Sequence, residues 1–179
     1  MTEARDVIEF WRDAGYEKWF GSDAEFDAEF HDRFRDLHFR ASRRELEDWL
    51  DDAERALALI LLLDQFPRNC FRGCAHSYAT DGLARHYADR AIAAGFDAQV
   101  EGPLRIFFYM PFEHSESLDD QKRSLDLFTA LGEPETLRYA QLHYDLIERF
   151  GHFPHRNPAM GRDSTPEERA YLEAGGFRG

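Results

Sequence analysis

Apolar positions recur along this chain at helical spacing almost from end to end. Val7, Ile8 and Trp11 form one stripe, and Phe26, Phe30, Phe34 and Leu37 follow as one face of a second helix. From Arg44 to about Gln65, the positions Leu46, Trp49, Leu50 and Ala53 lead into the run ALALILLL. That run is apolar on every side, which predicts a buried central helix. Thr80-Asp81 can cap a helix that runs to Ala94 and stops at Gly95; Ser117 can cap another through Leu125, Phe128 and Leu131, stopped by Gly132. Pro134 suits a first helical position, and Leu137, Ala140, Tyr144 and Ile147 carry the stripe to Phe150. Thr165-Pro166-Glu167-Glu168 has the form of a capping box and starts a short last helix.

Strand signals are nearly absent. Leu104–Phe112 has the β-branched and aromatic content of a strand, but no partner strand is visible, so a short buried helix is expected. The pattern therefore predicts an all-α fold in one domain over 1–179, with six to eight helices packed as antiparallel hairpins. Connections are short until 151–164, a segment rich in Pro, Gly and Asn with no helical stripe. A loop of that length in a compact domain is often functional. Residues 65–69 (QFPRN) are echoed by 153–157 (FPHRN), which reads as two similar helix exits, with Pro stopping each helix.

Composition narrows the class. With 16 Phe and 15% aromatics, the chain has the means to bury a core, and disorder is excluded. A net charge of -13 argues against nucleic acid, although an Arg- and aromatic-rich groove for a single strand stays as a minor alternative. The N-terminus carries acids where a secretory signal needs positive charge, and the longest apolar run, Ala56–Leu63, falls short of the roughly 20 residues that cross a bilayer. A cytoplasmic protein without a membrane segment is expected. Cys70 and Cys74 have neither zinc-pair nor redox-motif spacing and read as reduced thiols. No P-loop, nucleophile elbow, dinucleotide fingerprint or metal-ligand spacing occurs, so no metal is expected and the cofactor stays open.

The charge is unevenly spread. Three stretches hold no acidic residue: 65–80 with Arg68 and Arg72, 102–112 with Arg105, and 149–162 with Arg149, Arg156 and Arg162. All three are aromatic and loop-like, a pattern suited to a cationic pocket in which planar guanidinium forks hold carboxylate or phosphate. Arginine beside Pro and Asn can equally tie helix ends, pairing with Asp64, Glu116 or Glu148. Overlapping the end of the second island is Met110–Glu116, where His114 and Glu116 sit beside a Pro turn and Gln121 follows on the next helix. These residues can perform acid–base work or cap the helix. His143 lies mid-helix, where a hydrogen-bonded core histidine is the plainer reading.

LLLDQFPRNCFRG (61–73), FFYMPFEHSESLDDQ (107–121) and FGHFPHRNPAMGRDSTPEE (150–168), with VIEFW at 7–11, resemble the bacterial family known as domain of unknown function 924. The resemblance covers almost the whole chain. It implies an all-α fold of TPR-like helical hairpins and implies no reaction. The family positions retained are Asp64, Gln65, Arg68, Asn69, Arg72, His114, Ser115, Glu116, Gln121, His143, Arg156, Asn157, Gly161 and Arg162, while His152 stands where the family often has Arg. The 34-residue TPR consensus itself is absent.

Three readings follow. In the first, Arg68, Asn69, Arg72, Gln121, Arg156, Asn157 and Arg162 hold a small anionic ligand, and His114, Glu116, His143 and His155 supply acid–base groups. In the second, a TPR-like concave face clamps a peptide. In the third, the motif residues form a purely structural polar network. Enzyme activity and oligomeric state are left open.

Overall fold

The computed structural model describes residues 2–179, and among them every regular element is helical. The α-helices are α1 (Thr2–Phe20), α2 (Ala24–Ser42), α3 (Ala53–Cys70), α4 (Asp81–Ala93), α5 (Met110–Glu113), α6 (Leu118–Leu131), α7 (Pro134–Phe150), α8 (Asn157–Met160) and α9 (Pro166–Glu173). Short 3-10 turns lie at Glu47–Asp51, Ala75–Tyr78, Asp97–Gln99, Gly102–Phe108 and Pro154–Arg156. None of these helices is long and apolar enough to cross a membrane. The chain forms two compact units. One runs to Arg72 and resumes over His76–Pro111; the other holds Gly73–Ala75 and Phe112–Gly179.

The first unit is built around α3. Ala56 through Leu63 are buried on every side of this helix, as the unbroken apolar run predicts. Helices α1, α2 and α4 pack on it, together with the turns 47–51 and 102–108. The phenylalanine stripe of α2 meets α1: Phe10 stacks on Phe26 at 5.1 Å between ring centroids, and Trp11 lies 5.3 Å from Phe30. Such ring pairs add about 0.5–1.5 kcal/mol beyond the area they bury.

Two expectations about this helix are corrected. The pattern from Arg44 is not one continuous helix. Arg44 takes a left-handed φ of 65°, a 3-10 turn follows, and the extended Asp52 caps a fresh start by accepting the Arg55 N–H at 3.0 Å. Pro67, expected to stop the helix, lies inside it, and α3 continues to Cys70. Neither half of the echo at 65–69 and 153–157 is therefore a helix exit, because Pro154 opens a 3-10 turn.

The reason α3 tolerates Pro67 is visible in its carbonyls. Proline has no N–H to give the carbonyl one turn back. That group is Leu63 O, and the Thr80 hydroxyl donates to it at 2.5 Å. The neighbouring Leu62 O accepts from His38 Nδ1 at 2.8 Å. Thr80 therefore does not cap α4 with its side chain, as the sequence suggested; its hydroxyl is committed to α3. Elsewhere the expected ends hold: Pro134 opens α7, Gly132 and Gly151 close α6 and α7 in the left-handed region, and Thr165 with Glu168 completes the capping box of α9.

In the second unit α6 and α7 form a hairpin, joined by Gly132-Glu133. Leu146, Ile147 and Phe153 form its core, with Phe150, Tyr171 and Phe177 against them. The segment 151–164 is not a structureless loop. Pro154 and Pro158 sit at first-turn positions, where a missing N–H costs nothing, and a 3-10 turn runs into α8, ended by Gly161. These short turns raise the α-helix count to nine among the described residues.

Two outcomes are expected of the first unit. Thr80→Val leaves Leu63 O buried without its hydroxyl donor and lowers stability by about 1–3 kcal/mol, read from urea unfolding, whereas Thr80→Ser retains most of it. His38 is buried, and burial pulls its pKa down to about 4, with His76 also lowering it. With Nδ1–H committed to Leu62 O, its Nε2 accepts from His76 Nε2 at 3.0 Å, so the native ring is neutral. The native state thus resists a proton that the unfolded chain accepts near pH 6.5. Stability is full above that pH and falls as pH drops from about 6.5 towards 4, by on the order of 3 kcal/mol from this residue. His38→Gln should flatten the slope in that window.

Candidate functional site

The residues singled out from sequence divide between the two units. Of the candidate ligand-binding and acid–base residues, Arg68, Asn69 and Arg72 belong to the first, and His114, Glu116, Gln121, His143, His155, Arg156, Asn157 and Arg162 to the second.

In the first unit, Pro67 and the last turn of α3 aim Arg68, Asn69 and Arg72 at carboxylates of α2, α3 and α4. Arg68 Nη1 donates to Asp64 O at 2.7 Å and to Asp81 Oδ1 at 2.8 Å, and its Nη2 donates to Asp81 Oδ2 at 2.9 Å. Burial alone would lower the Arg68 pKa, but Asp64 and Asp81 outweigh it and raise it, so the guanidinium stays charged. Gln65 donates to the other Asp64 oxygen at 2.6 Å. Asp27 receives Asn69 Nδ2 at 2.7 Å on one oxygen and Arg72 Nε at 2.9 Å on the other. The island that lacks acids in sequence is thus supplied with them from its flanks. Arg105 of the second island likewise meets Asp97 at 3.3 Å. Burial, with a contribution from Asp27, pushes the Cys70 thiol up to about 12, which makes it unreactive.

The second unit holds two motif constellations. One is a clasp centred on Glu116. Its Oε1 accepts the Phe153 N–H at 2.9 Å and Arg162 Nη2 at 2.9 Å, and its Oε2 accepts Arg162 Nη1 at 2.8 Å. Burial works to raise the Glu116 pKa, yet the Arg162 fork and the Phe153 N–H hold it below its ordinary value. Farther along, Asn157 Nδ2 donates to Glu168 Oε2 at 3.2 Å and to Ser164 Oγ at 3.1 Å, and His152 lies 2.5 Å from Glu168 Oε1. Gln121 is fully buried and donates to Glu113 O at 2.6 Å and Ser115 O at 2.7 Å, which fixes the backbone around His114. Its own Oε1 and the Asn157 Oδ1 are buried without a hydrogen-bond partner. Ser117 stands at the N-cap of α6 but makes no side-chain cap bond; its own N–H donates to the Ser115 hydroxyl at 3.2 Å.

The other constellation gathers His143, His155 and the Arg156 guanidinium around Phe153, with His114 beside His143. His143 Nδ1 lies 2.9 Å from Tyr139 O and 3.1 Å from Glu113 Oε1, so this nitrogen carries the ring proton. His114 is 6.3 Å from His143 between centroids, and His143 is 5.4 Å from Phe153. His155 lies 5.7 Å from Phe153, and the Arg156 guanidinium sits 4.5 Å over the same ring while Nη2 donates to His114 O at 3.0 Å. Phe177 packs on both His143 and His155, at 4.7 and 5.4 Å. Burial drives the His143 pKa down to about 3, and His114, Arg156 and His155 push the same way. The native ring is therefore neutral, and it is too weak a base for proton abstraction near pH 7.

Of the eight candidates in this unit, His114, His143, His155 and Arg156 converge; Glu116 and Arg162 pair with each other; Gln121 and Asn157 hold backbone and cap. The sequence did not single out Glu113, Phe153 or Phe177. Glu113 lies beside His114 and was legible as a neighbour, whereas Phe177 lies far along the chain and carries no local signal. Among the described residues no three His, Cys, Asp or Glu side chains are grouped to hold a metal ion.

Comparison with known proteins agrees with the fold. A solved structure of a protein of unknown function from Agrobacterium tumefaciens is similar, at 58% sequence identity and a TM-score of 0.93, with 96% of this chain and 97% of that chain covered. No curated protein matches. Residues 7–176 match the family described as bacterial protein of unknown function (DUF924). With that match over nearly its whole length and the same helical fold in its solved relative, this chain belongs to the DUF924 family.

Proposed function

We propose that the second unit binds a small anion, a carboxylate or phosphate, at the cluster of His114, His143, His155 and Arg156. The observation that carries this reading is the gathering of His143, His155 and the Arg156 guanidinium at the Phe153 ring, with His114 beside His143, within a chain of net charge -13. Burial is the main cause that depresses the His143 pKa, with His114, Arg156 and His155 adding to it, and an anion would offset those three contributions. Arg156 supplies positive charge, and His114 and His155 are the ring N–H donors of this reading, since the His143 N–H faces Tyr139 O and Glu113. His155, partly exposed, marks the side from which a ligand enters, past Phe177. With His143 held neutral, His114 and His155 are the groups left for proton transfer should the bound anion react.

A thermal-shift series tests this with inorganic phosphate, succinate and citrate against chloride at matched ionic strength. A selective ligand at about 100 times its Kd stabilises by about 2.7 kcal/mol, a rise of several degrees for a chain of this size. His155→Ala should abolish the shift while melting near wild type. Absence of any selective shift, with Arg156→Gln melting far lower, overturns the proposal.

A second reading, a structural network, is supported by the Glu116 clasp, whose two oxygens and backbone N–H are all engaged. Under it, Arg162→Ala should cost about 1.5–3 kcal/mol in urea unfolding, the range for hydrogen bonds to charged groups.

A further inference from the structure

A separate feature of the first unit is independent of the histidine cluster. Helix α1 is interrupted at Gly15, whose φ of 73° and ψ of 175° lie in a region that glycine alone adopts readily. Beyond the break the chain turns Trp19 back on Trp11. The two indoles stack at 6.2 Å, and Trp19 Nε1 donates to Trp11 O at 2.6 Å. The same break leaves Tyr16 at 53% and Phe20 at 47% exposure, in contact with each other at 4.8 Å. Exposed aromatic rings beside a buried, hydrogen-bonded tryptophan are a costly surface unless something uses it.

A cavity of about 650 Å3 opens at this break, within the range of small-molecule sites. Tyr16, Trp19 and Leu104 supply apolar and π-faced wall, and the charged groups lining it are Glu54, Glu101 and Arg12. Arg12 lies 3.8 Å from Glu54, so its charge is matched locally, and Glu101 leaves the lining with a net negative charge. Aromatic faces attract a desolvated cation through the ring quadrupole, and a carboxylate at the rim adds Coulomb attraction. Anions meet the opposite field, and neutral ligands gain only the apolar wall.

We infer that the cavity at the α1 break binds a small organic ammonium ion with apolar substituents, held between Tyr16 and Trp19 and neutralised by Glu101. The probe is benzyltrimethylammonium, with benzyl alcohol and benzoate as its neutral and anionic counterparts. Trp19 supplies the signal: the chain has three tryptophans, and their indole N–H resonances can be followed in a titration of the intact protein. The expected result is a saturable shift of the Trp19 resonance with the cation, and binding about tenfold weaker for both counterparts. Tyr16→Ala and Glu101→Gln, both at exposed positions, should each weaken the cation several-fold without changing the melting temperature. Benzyl alcohol binding as well as the cation overturns the inference, since the cavity is then merely apolar. Tighter benzoate binding also overturns it, because Arg12 then dominates. An unmoved Trp19 resonance overturns it too.

Discussion

The first unit depends on a carbonyl that its own helix cannot satisfy. Pro67 deprives Leu63 O of a donor in the middle of the most buried helix of the chain. A buried carbonyl without a partner costs more than an ordinary hydrogen bond gains, so a donor has to come from elsewhere. The Thr80 hydroxyl provides it from the start of α4, and His38 reaches Leu62 O from α2. The defect thus ties α3 to the start of α4, and the His38 bond to the next carbonyl adds α2. Immediately beyond it, Arg68 joins Asp64 and Asp81, and Asn69 and Arg72 share Asp27, so the last turn of α3 is anchored on the same neighbours.

The second unit applies the same logic with a carboxylate at the centre. Glu116 takes the Arg162 fork and the Phe153 N–H, which fastens the 153–162 segment to the turn before α6. Gln121 holds that turn from below through two carbonyls. The segment so fastened carries His155 and Arg156 to His143. Its 3-10 turn and short helix are therefore a scaffold for the histidine cluster, and the Pro and Asn content that resembles a loop is the chemistry of tight turns.

The acid-free islands illustrate how far one-dimensional counting reaches. They mark real clusters, because Arg68, Arg72, Arg105, Arg149 and Arg162 all find structural partners. Counting along the chain cannot show that the partners are acids from outside each island: Asp81, Asp27, Asp97, Glu167 and Glu116. The charge surplus suggested by the islands is largely cancelled in three dimensions. Arg156 lies over the Phe153 ring and donates to His114 O.

What the sequence by itself determined is the all-helical fold, the buried central helix, the phenylalanine face of α2, the glycine stops, the Pro134 start and the Thr165 capping box. Each rests on local periodicity or on a backbone preference acting within a few residues. Only the tertiary structure decided that Pro67 continues a helix, that Thr80 serves α3 rather than capping α4, and that the Ser117 side chain caps nothing. It alone brought Phe177 to His143 and His155, and opened a cavity at Gly15. These outcomes turn on which distant donor or ring reaches a buried group, and that is fixed by packing, which spacing along the chain does not encode.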